Sequence, residues 1–418
     1  MPQIIFILGI LIYRFFLDNV YIQTIAPFYA YQGLDYVGTN IDYWISWGVL
    51  IAFSLLMSLL LKYKEFFLSN ILILLFLIRF VPFTSLLACK SLDNRLLLME
   101  LIYWGAIFLF SLILKRPCLH FSFPKRYKLS TLRFSVVDIV LVFSVLIVLF
   151  VSGCYAHFRL NFSLMNVYDL REEARDFSMP VLLKYLWSAT GNVLPVLFVY
   201  YLIIKRRIVC CFIAFVILLN FSVDGLKANI FKLFLCLLLH LVYKQNLIKM
   251  FPWLFALLCF FSLAEYYVFS TPLLSEFVVR RVLYIPALLD SYYFDYISKY
   301  GPVFYQRGDV HIDFIIGEEY FGKASMRANN GLFTDAYMNL GEIGCLVYPF
   351  VYVAFFKFCE SSFEGVNVEL VMFVIIIMVI TLNSSEFTTS LLTHGLFALC
   401  IYNHRTTKTN QKYPSVNL

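Results

Sequence analysis

Long apolar runs separated by short polar stretches dominate this chain. Runs at 3–17, 43–61, 66–88, 97–114, 134–153, 182–204, 208–221, 228–243, 251–269, 336–357, 366–382 and 387–402 read as helices crossing a bilayer. That is about twelve spans, each judged against the roughly 20 apolar residues a straight crossing needs. The runs at 3–17, 208–221 and 228–243 fall short of that length, so they are expected to be broken or to draw polar flanks into the helix. No internal repeat and no separate soluble domain interrupts the pattern, which predicts an all-α polytopic membrane protein with one integral membrane domain over 1–418. Three polar interruptions stand out. They are a basic stretch at 115–133, a mixed-charge stretch at 154–181, and a long segment at 271–335 rich in charge, tyrosine and glycine, expected to be a loop bearing short helices.

Composition agrees: 61% of residues are hydrophobic and 14% are charged, which excludes an ordinary soluble domain of 418 residues. The ten cysteines sit mostly inside apolar runs with no CxxC spacing, so they read as small buried hydrophobes and predict neither metal nor redox chemistry. No cofactor motif is present.

The net charge of +7 does not point to nucleic acid, because the basic residues fall in alternate short loops. One set comprises Lys62 and Lys64, then Lys115, Arg116, Lys125, Arg126, Lys128 and Arg133, then Lys205, Arg206 and Arg207. It continues through Lys244, Lys249 and Lys357 to Arg405, Lys408 and Lys412. The positive-inside rule puts these loops and both termini in the cytoplasm, and the segments 154–181 and 271–335 on the outer face. The first run lacks a small-residue cleavage site and is expected to be a retained span.

Candidate chemistry therefore lies in the outward loops and helix ends. Arg280 and Arg281 follow each other in an apolar, helix-like stretch. Paired guanidiniums suit a diphosphate through charge-assisted contacts, while interfacial arginines also snorkel to lipid headgroups. Arg171 and Arg175 share a helix face at i, i+4 among acids, which fits anion binding or a self-paired solvated helix. Asp224 and Lys227 flank the tight turn at Gly225, as functional charges at membrane depth or as a pair closing a hairpin. His311 alternates with Asp309 and Asp313. This suits acid–base work or a solvated loop, and argues only weakly for a metal. Tyr292, Tyr296 and neighbouring rings suit stacking on sugars or an interfacial belt. In ANNGLFTDAYMNLGEIG, Asn329, Asn330 and Gly331 make a turn, and Asp335 and Asn339 share a face of the following span.

Taken together, NVYDLREEAR, VDGLKAN, RRVLYIPA, ANNGLFTDAYMNLGEIG and TTSLLTHGL resemble, in order and in span count, the oligosaccharide repeat-unit (O-antigen, Wzy-type) polymerases of bacterial inner membranes. The resemblance covers nearly the whole chain. It implies a GT-C-like, metal-free glycosyltransferase that joins undecaprenyl-diphosphate-linked donor and acceptor glycans on the periplasmic face, without cofactor or nucleic acid and with room for a chain-length regulator as partner. It further implies that Arg280 and Arg281, with Arg171, Arg175 and Lys227 as further candidates, meet the diphosphate. Asn329, Asn330, Tyr292 and Tyr296 would meet the glycan, and Asp335, Asp224 or His311 would take the acceptor proton. An O-antigen ligase shares this plan, and a polysaccharide flippase is a rival of another class.

Overall fold

The computed structural model describes residues 2–62, 65–117, 136–161, 170, 173–174, 176–242, 247–305 and 311–396. These contain helices and connecting turns, with no strand among the described residues. In chain order we label the helices α1 (Gln3–Gln32), α2 (Asn40–Leu60), α3 (Phe66–Lys90) and α4 (Asn94–Ile113). Next come α5 (Val136–Ala156), α6 (Val181–Ile203), α7 (Arg207–Asp224), α8 (Lys227–Val242) and α9 (Leu247–Phe269). The helix α10 begins as a π-helix, Ser275–Tyr284, and continues as Ile285–Tyr300. It is followed by α11 (Ile312–Phe321), α12 (Phe333–Ser362), α13 (Val368–Leu382) and α14 (Phe387–Leu392). Nine of these, α1 to α7, α9 and α12, are long and apolar enough to cross a membrane, and α13 is a shorter apolar helix. The chain is a polytopic helical membrane protein.

The first helix runs on through Asp18, Asn19 and Thr24, well past the apolar run that announces it. Asp18 can stay inside because Arg14, one turn earlier, donates to it at 2.6 Å, and Ser85 donates to it as well. Arg14 is completely buried and spends its other nitrogens on Thr84 (2.9 Å) and Ser46 (3.1 Å). A charge at membrane depth is tolerated only with such partners.

The chain falls into two compact units. Unit 1 comprises 1–116, 246–357 and 382–387. Within it α1 packs along α9, where Gly9 lets Trp253 and Pro252 approach to contact distance, and Trp253 donates to the Ile5 carbonyl. The helix α3 is the most enclosed span, with 94% of its apolar window buried, so its polar residues are interior groups. Val279, Leu283, Ala287 and Leu288 of α10 are buried in the same unit. The 271–335 segment thus contributes a long helix to the interior as well as the half-buried short helix α11.

Two prolines in unit 1 shape the helices that carry the site. A proline inside a helix leaves a carbonyl of the preceding turn without its N–H donor. Pro82 follows the π-turn Phe76–Phe80 of α3, and the Tyr13 hydroxyl donates to the Leu77 carbonyl at 3.3 Å. Pro286 leaves the Val282 carbonyl, which the Asn383 amide meets at 3.3 Å.

Unit 2 comprises 117–245, 358–381 and 388–418. Here α6 packs on α5, α7 and α8. Ile147, Val151, Ala156 and Val223 form a core patch covered by Phe177, Met179 and Trp187. Pro195 bares the Gly191 carbonyl within α6, and Lys232 from α8 donates to it at 3.1 Å and to Asn192 Oδ1 at 2.5 Å. The helix α7 ends at Gly225 in the left-handed region (φ 63°), which turns the chain directly into α8.

Candidate functional site

Three polar assemblies in unit 1 gather residues from distant parts of the chain. The first is interior. Arg79 lies in the π-turn of α3, a feature that concentrates at functional positions. Its Nη2 donates to both carboxylate oxygens of Asp290, at 2.6 and 2.7 Å, and its Nη1 donates to Asn330 Oδ1 at 2.7 Å. Asn330 in turn donates to Asp290 (3.0 Å), Thr334 (2.6 Å) and the Pro286 carbonyl (3.1 Å), and Thr334 donates to Asp290 at 2.5 Å. A second carboxylate, Glu100, buried in α4, accepts from Trp104 Nε1 at 3.1 Å. Arg79, Asp290 and Glu100 line one narrow cavity with Tyr103, Trp104, Leu332 and Phe333.

The second assembly surrounds a break in α12. Gly341 (φ 60°, ψ −141°) interrupts the helix, and the Met338 carbonyl accepts from Val303 N at 2.7 Å. Asn339 Oδ1 accepts from Tyr305 N at 3.0 Å, while its amide donates to Asp335 Oδ1 at 2.9 Å. Asp335, 1% exposed, also accepts from Phe387 N (2.7 Å), Tyr352 (3.4 Å) and Tyr348 (3.5 Å). A fully enclosed carboxylate is thus met by neutral donors from several directions.

The third assembly lies at the end of unit 1 where α1 and α3 finish and α2 and α4 begin. The turn Gln32–Gly33 has Gly33 at φ 80°, and a Cβ there would stand 1.9 Å from the Tyr292 hydroxyl. That hydroxyl donates to the Gln32 carbonyl at 2.9 Å, and Lys90 donates to the Gly33 carbonyl. Lys90 also pairs with Asp35 at 2.9 Å. Arg280, 6% exposed, donates through Nη1 to Gln32 Oε1 at 2.8 Å and places its guanidinium 4.0 Å over the ring of Tyr29. Its Nε is buried with no acceptor among the described residues. Burial holds the Arg280 guanidinium below the ordinary arginine value and, with the nearby Asp35 charge, pushes the Tyr292 phenol up to about 12.

The residues expected from sequence distribute as follows. Arg280 and Arg281 do not form a common clamp. Arg280 is buried against α1, whereas Arg281 is exposed, 5.5 Å over the ring of Phe277. Asp335 is interior as described, and Asn330 belongs to the Arg79 network while Asn329 is exposed. Tyr292 stacks on Tyr320 (4.4 Å), and Tyr296 tilts against Tyr300 (4.6 Å). Tyr320 and Lys299 both donate to Asp295 at 2.6 Å. Burial works to raise that carboxyl, but these bonds hold it below the usual carboxylate range. His311 is exposed just ahead of α11, with Asp313 3.6 Å from Arg327. Asp224 and Lys227 flank the α7–α8 turn in unit 2, where Asp224 accepts from Leu226 N at 2.8 Å and Lys227 is exposed. Arg171, Arg175 and Asp309 lie outside the described residues.

Sequence reasoning passed over Arg79, Asp290, Glu100, Lys90 and Gln32. A single charge inside an apolar run, such as Arg79 three residues before Pro82, was the available signal. Comparison of the chain with family models, with curated proteins and with solved structures finds no match.

Proposed function

We propose that this protein polymerises oligosaccharide repeat units carried on undecaprenyl diphosphate, on the periplasmic face of a bacterial inner membrane. The observation that carries the reading is the Arg280 guanidinium, buried on Tyr29 and set among tyrosines, with no acceptor for its Nε among the described residues. A desolvated, preorganised cation of this kind stabilises the negative charge that grows on a departing diphosphate. In the reaction the acceptor hydroxyl oxygen bonds to the anomeric carbon of the donor glycan. The carbon–oxygen bond to the diphosphate breaks, and its electron pair leaves with the lipid diphosphate. The hydroxyl proton passes to a base, and the transfer needs no metal or cofactor.

Among the candidate bases, the exposure of His311 supports it as the group open to an incoming hydroxyl. Asp335 has both oxygens engaged by donors and serves in this reading to position Asn339 and Tyr348. Asp224 and Lys227 belong to unit 2. The full architecture in this reading has about twelve spans, a GT-C-like arrangement and both termini in the cytoplasm. The partners are lipid-linked donor and acceptor, membrane lipid and a chain-length regulator.

The test is the glycan phenotype of a strain lacking the protein. Lipid A core capped by a single repeat unit is the expected result. Bare core would make the protein a ligase, repeat units trapped inside would make it a flippase, and normal chain lengths would remove the reading. Complementation with Arg280→Ala, at normal membrane levels, is expected to leave the single-unit phenotype.

A further inference from the structure

A diphosphate carries two anionic phosphates, and one arginine engages both only incompletely. The sequence offers Arg281 as the second cation, but Arg281 points out of the unit while Arg280 points in. Another cation meets the same turn as Arg280. Lys90, the last residue of α3, donates to the Gly33 carbonyl, and Arg280 donates to the Gln32 side chain next to it. Tyr292 ties the intervening peptide down through the Gln32 carbonyl.

We propose that Lys90 is the second cation of the diphosphate site, held with Arg280 around the Gln32–Gly33 turn; this rests on the functional reading above. Each cation has an acidic neighbour in the structure. Asp35 lies 2.9 Å from Lys90 and Glu276 lies 4.0 Å from Arg280. Both carboxylates are partly exposed, at 43% and 31%, whereas the two cations are the more enclosed members, at 20% and 7%. The acids can turn to solvent at little cost while the cations stay in place, since half-exposed ion pairs are weak. A phosphate then replaces Asp35 on Lys90, and the other phosphate replaces Glu276 beside the Arg280 guanidinium. The turn is built to bring these groups together. Gly33, at φ 80° and without a Cβ, leaves room for Tyr292 and Lys90 to close on the turn, and the N–H groups of Val37 and Gly38 both donate to the Cys89 carbonyl, at 2.9 and 2.8 Å, anchoring the chain beside Lys90.

The probes are geranyl diphosphate and geranyl monophosphate, titrated calorimetrically against the full chain in nanodiscs. Lys90→Gln and Arg280→Gln are each expected to weaken diphosphate binding about tenfold, the loss of one hydrogen bond to a charged group. Lys90→Arg is expected to stay within about threefold of the parent, and Arg281→Gln to bind as the parent does. Asp35→Asn, which removes the competitor for Lys90, is expected to tighten binding about threefold. Lys90→Gln is further expected to leave monophosphate binding nearly unchanged. If Arg280→Gln weakens binding and Lys90→Gln does not, the Lys90 assignment is overturned and the functional reading stands. Equal losses in Lys90→Gln and Asp35→Asn would overturn it too, because Lys90 would then act only by holding the turn. No binding by the parent chain, or binding indifferent to Arg280→Gln, would remove the reading and the assignment together.

Discussion

Arg79 and Asp290, 211 positions apart in the chain, form a forked ion pair with Nη2 2.6 and 2.7 Å from the two carboxylate oxygens, and both side chains are 3% exposed. The pair ties the π-turn of α3 to α10, and through Asn330 and Thr334 it reaches the start of α12. Two helices that carry the proposed site, α3 and α10, are thereby fixed to each other and to α12 from within. A buried guanidinium and carboxylate offset each other's desolvation only while both are present and their remaining groups are satisfied.

Removing either partner alone is therefore expected to be severe. Arg79→Met or Asp290→Leu should destabilise unit 1 by about 3–5 kcal/mol, because an uncompensated charge is left inside. The double variant should recover a large part of that loss, since neither member of the pair is left behind as an unpaired charge. Thermal unfolding of the detergent-solubilised protein, followed by size-exclusion fluorescence, reads this directly. Single variants as stable as the parent would show that the pair does not hold the helices.

Two glycines set close approaches that no other residue permits. A Cβ at Gly331 would stand 2.2 Å from the Leu382 carbonyl oxygen and 2.5 Å from that of Ser385, and one at Gly344 would stand 2.0 Å from the Ala336 carbonyl oxygen. These neighbours are backbone and cannot swing away, so Gly331→Ala and Gly344→Ala should each cost about 1–3 kcal/mol or more. Gly105, within α4, has nothing within 4 Å of such a Cβ. Gly105→Ala should be neutral or stabilise by about 0.5–1 kcal/mol through helix propensity. The three melting temperatures, measured side by side, check the contrast.

Much of the helical frame was legible, because an apolar run of sufficient length has few other fates in a membrane protein. The run read at 182–204 is the helix Val181–Ile203, and the run read at 43–61 is the helix Asn40–Leu60. Asp18 ended the first run on hydropathy, yet the helix continues, because Arg14 four residues earlier neutralises it. That pairing depends on spacing that a hydropathy window does not register. Asp335 and Asn339 were legible as one face of a span, and they are hydrogen-bonded to each other. Arg79 was not, since its partners Asp290, Asn330 and Asn383 come from far along the chain. Adjacency suggested that Arg280 and Arg281 act together, but neighbouring residues of a helix face different directions, and only one of them turns inward.

In unit 2 the role of Lys232 follows from a proline. Pro195 denies the Gly191 carbonyl its helical donor, and Lys232 fills the place. Lys232→Met should cost about 1–3 kcal/mol in the parent, the usual effect of an unsatisfied buried acceptor. In a Pro195→Ala background the backbone N–H is restored, and the same change should cost about 1 kcal/mol less. A double-mutant cycle on thermal stability yields this coupling. Strict additivity would show that Lys232 does not serve that carbonyl.

The turn that holds Arg280 and Lys90 supplies a sharper coupling. Gly33→Ala faces two separate obstacles, a left-handed φ of 80° and the Tyr292 hydroxyl 1.9 Å from the new methyl group. The first costs about 1–2 kcal/mol for an L-residue and cannot be relieved by any neighbour. The second disappears when the hydroxyl is removed, since the Tyr292 ring carbon behind it is 3.2 Å away, a tight contact that a small shift relieves. Tyr292→Phe alone gives up the bond to the Gln32 carbonyl and should cost about 1 kcal/mol. Combined with Gly33→Ala, it should instead raise stability above that of the glycine variant alone. The order of the four melting temperatures tests the geometry of the turn independently of any activity. A double variant less stable than Gly33→Ala would mean that the hydroxyl does not press on Gly33.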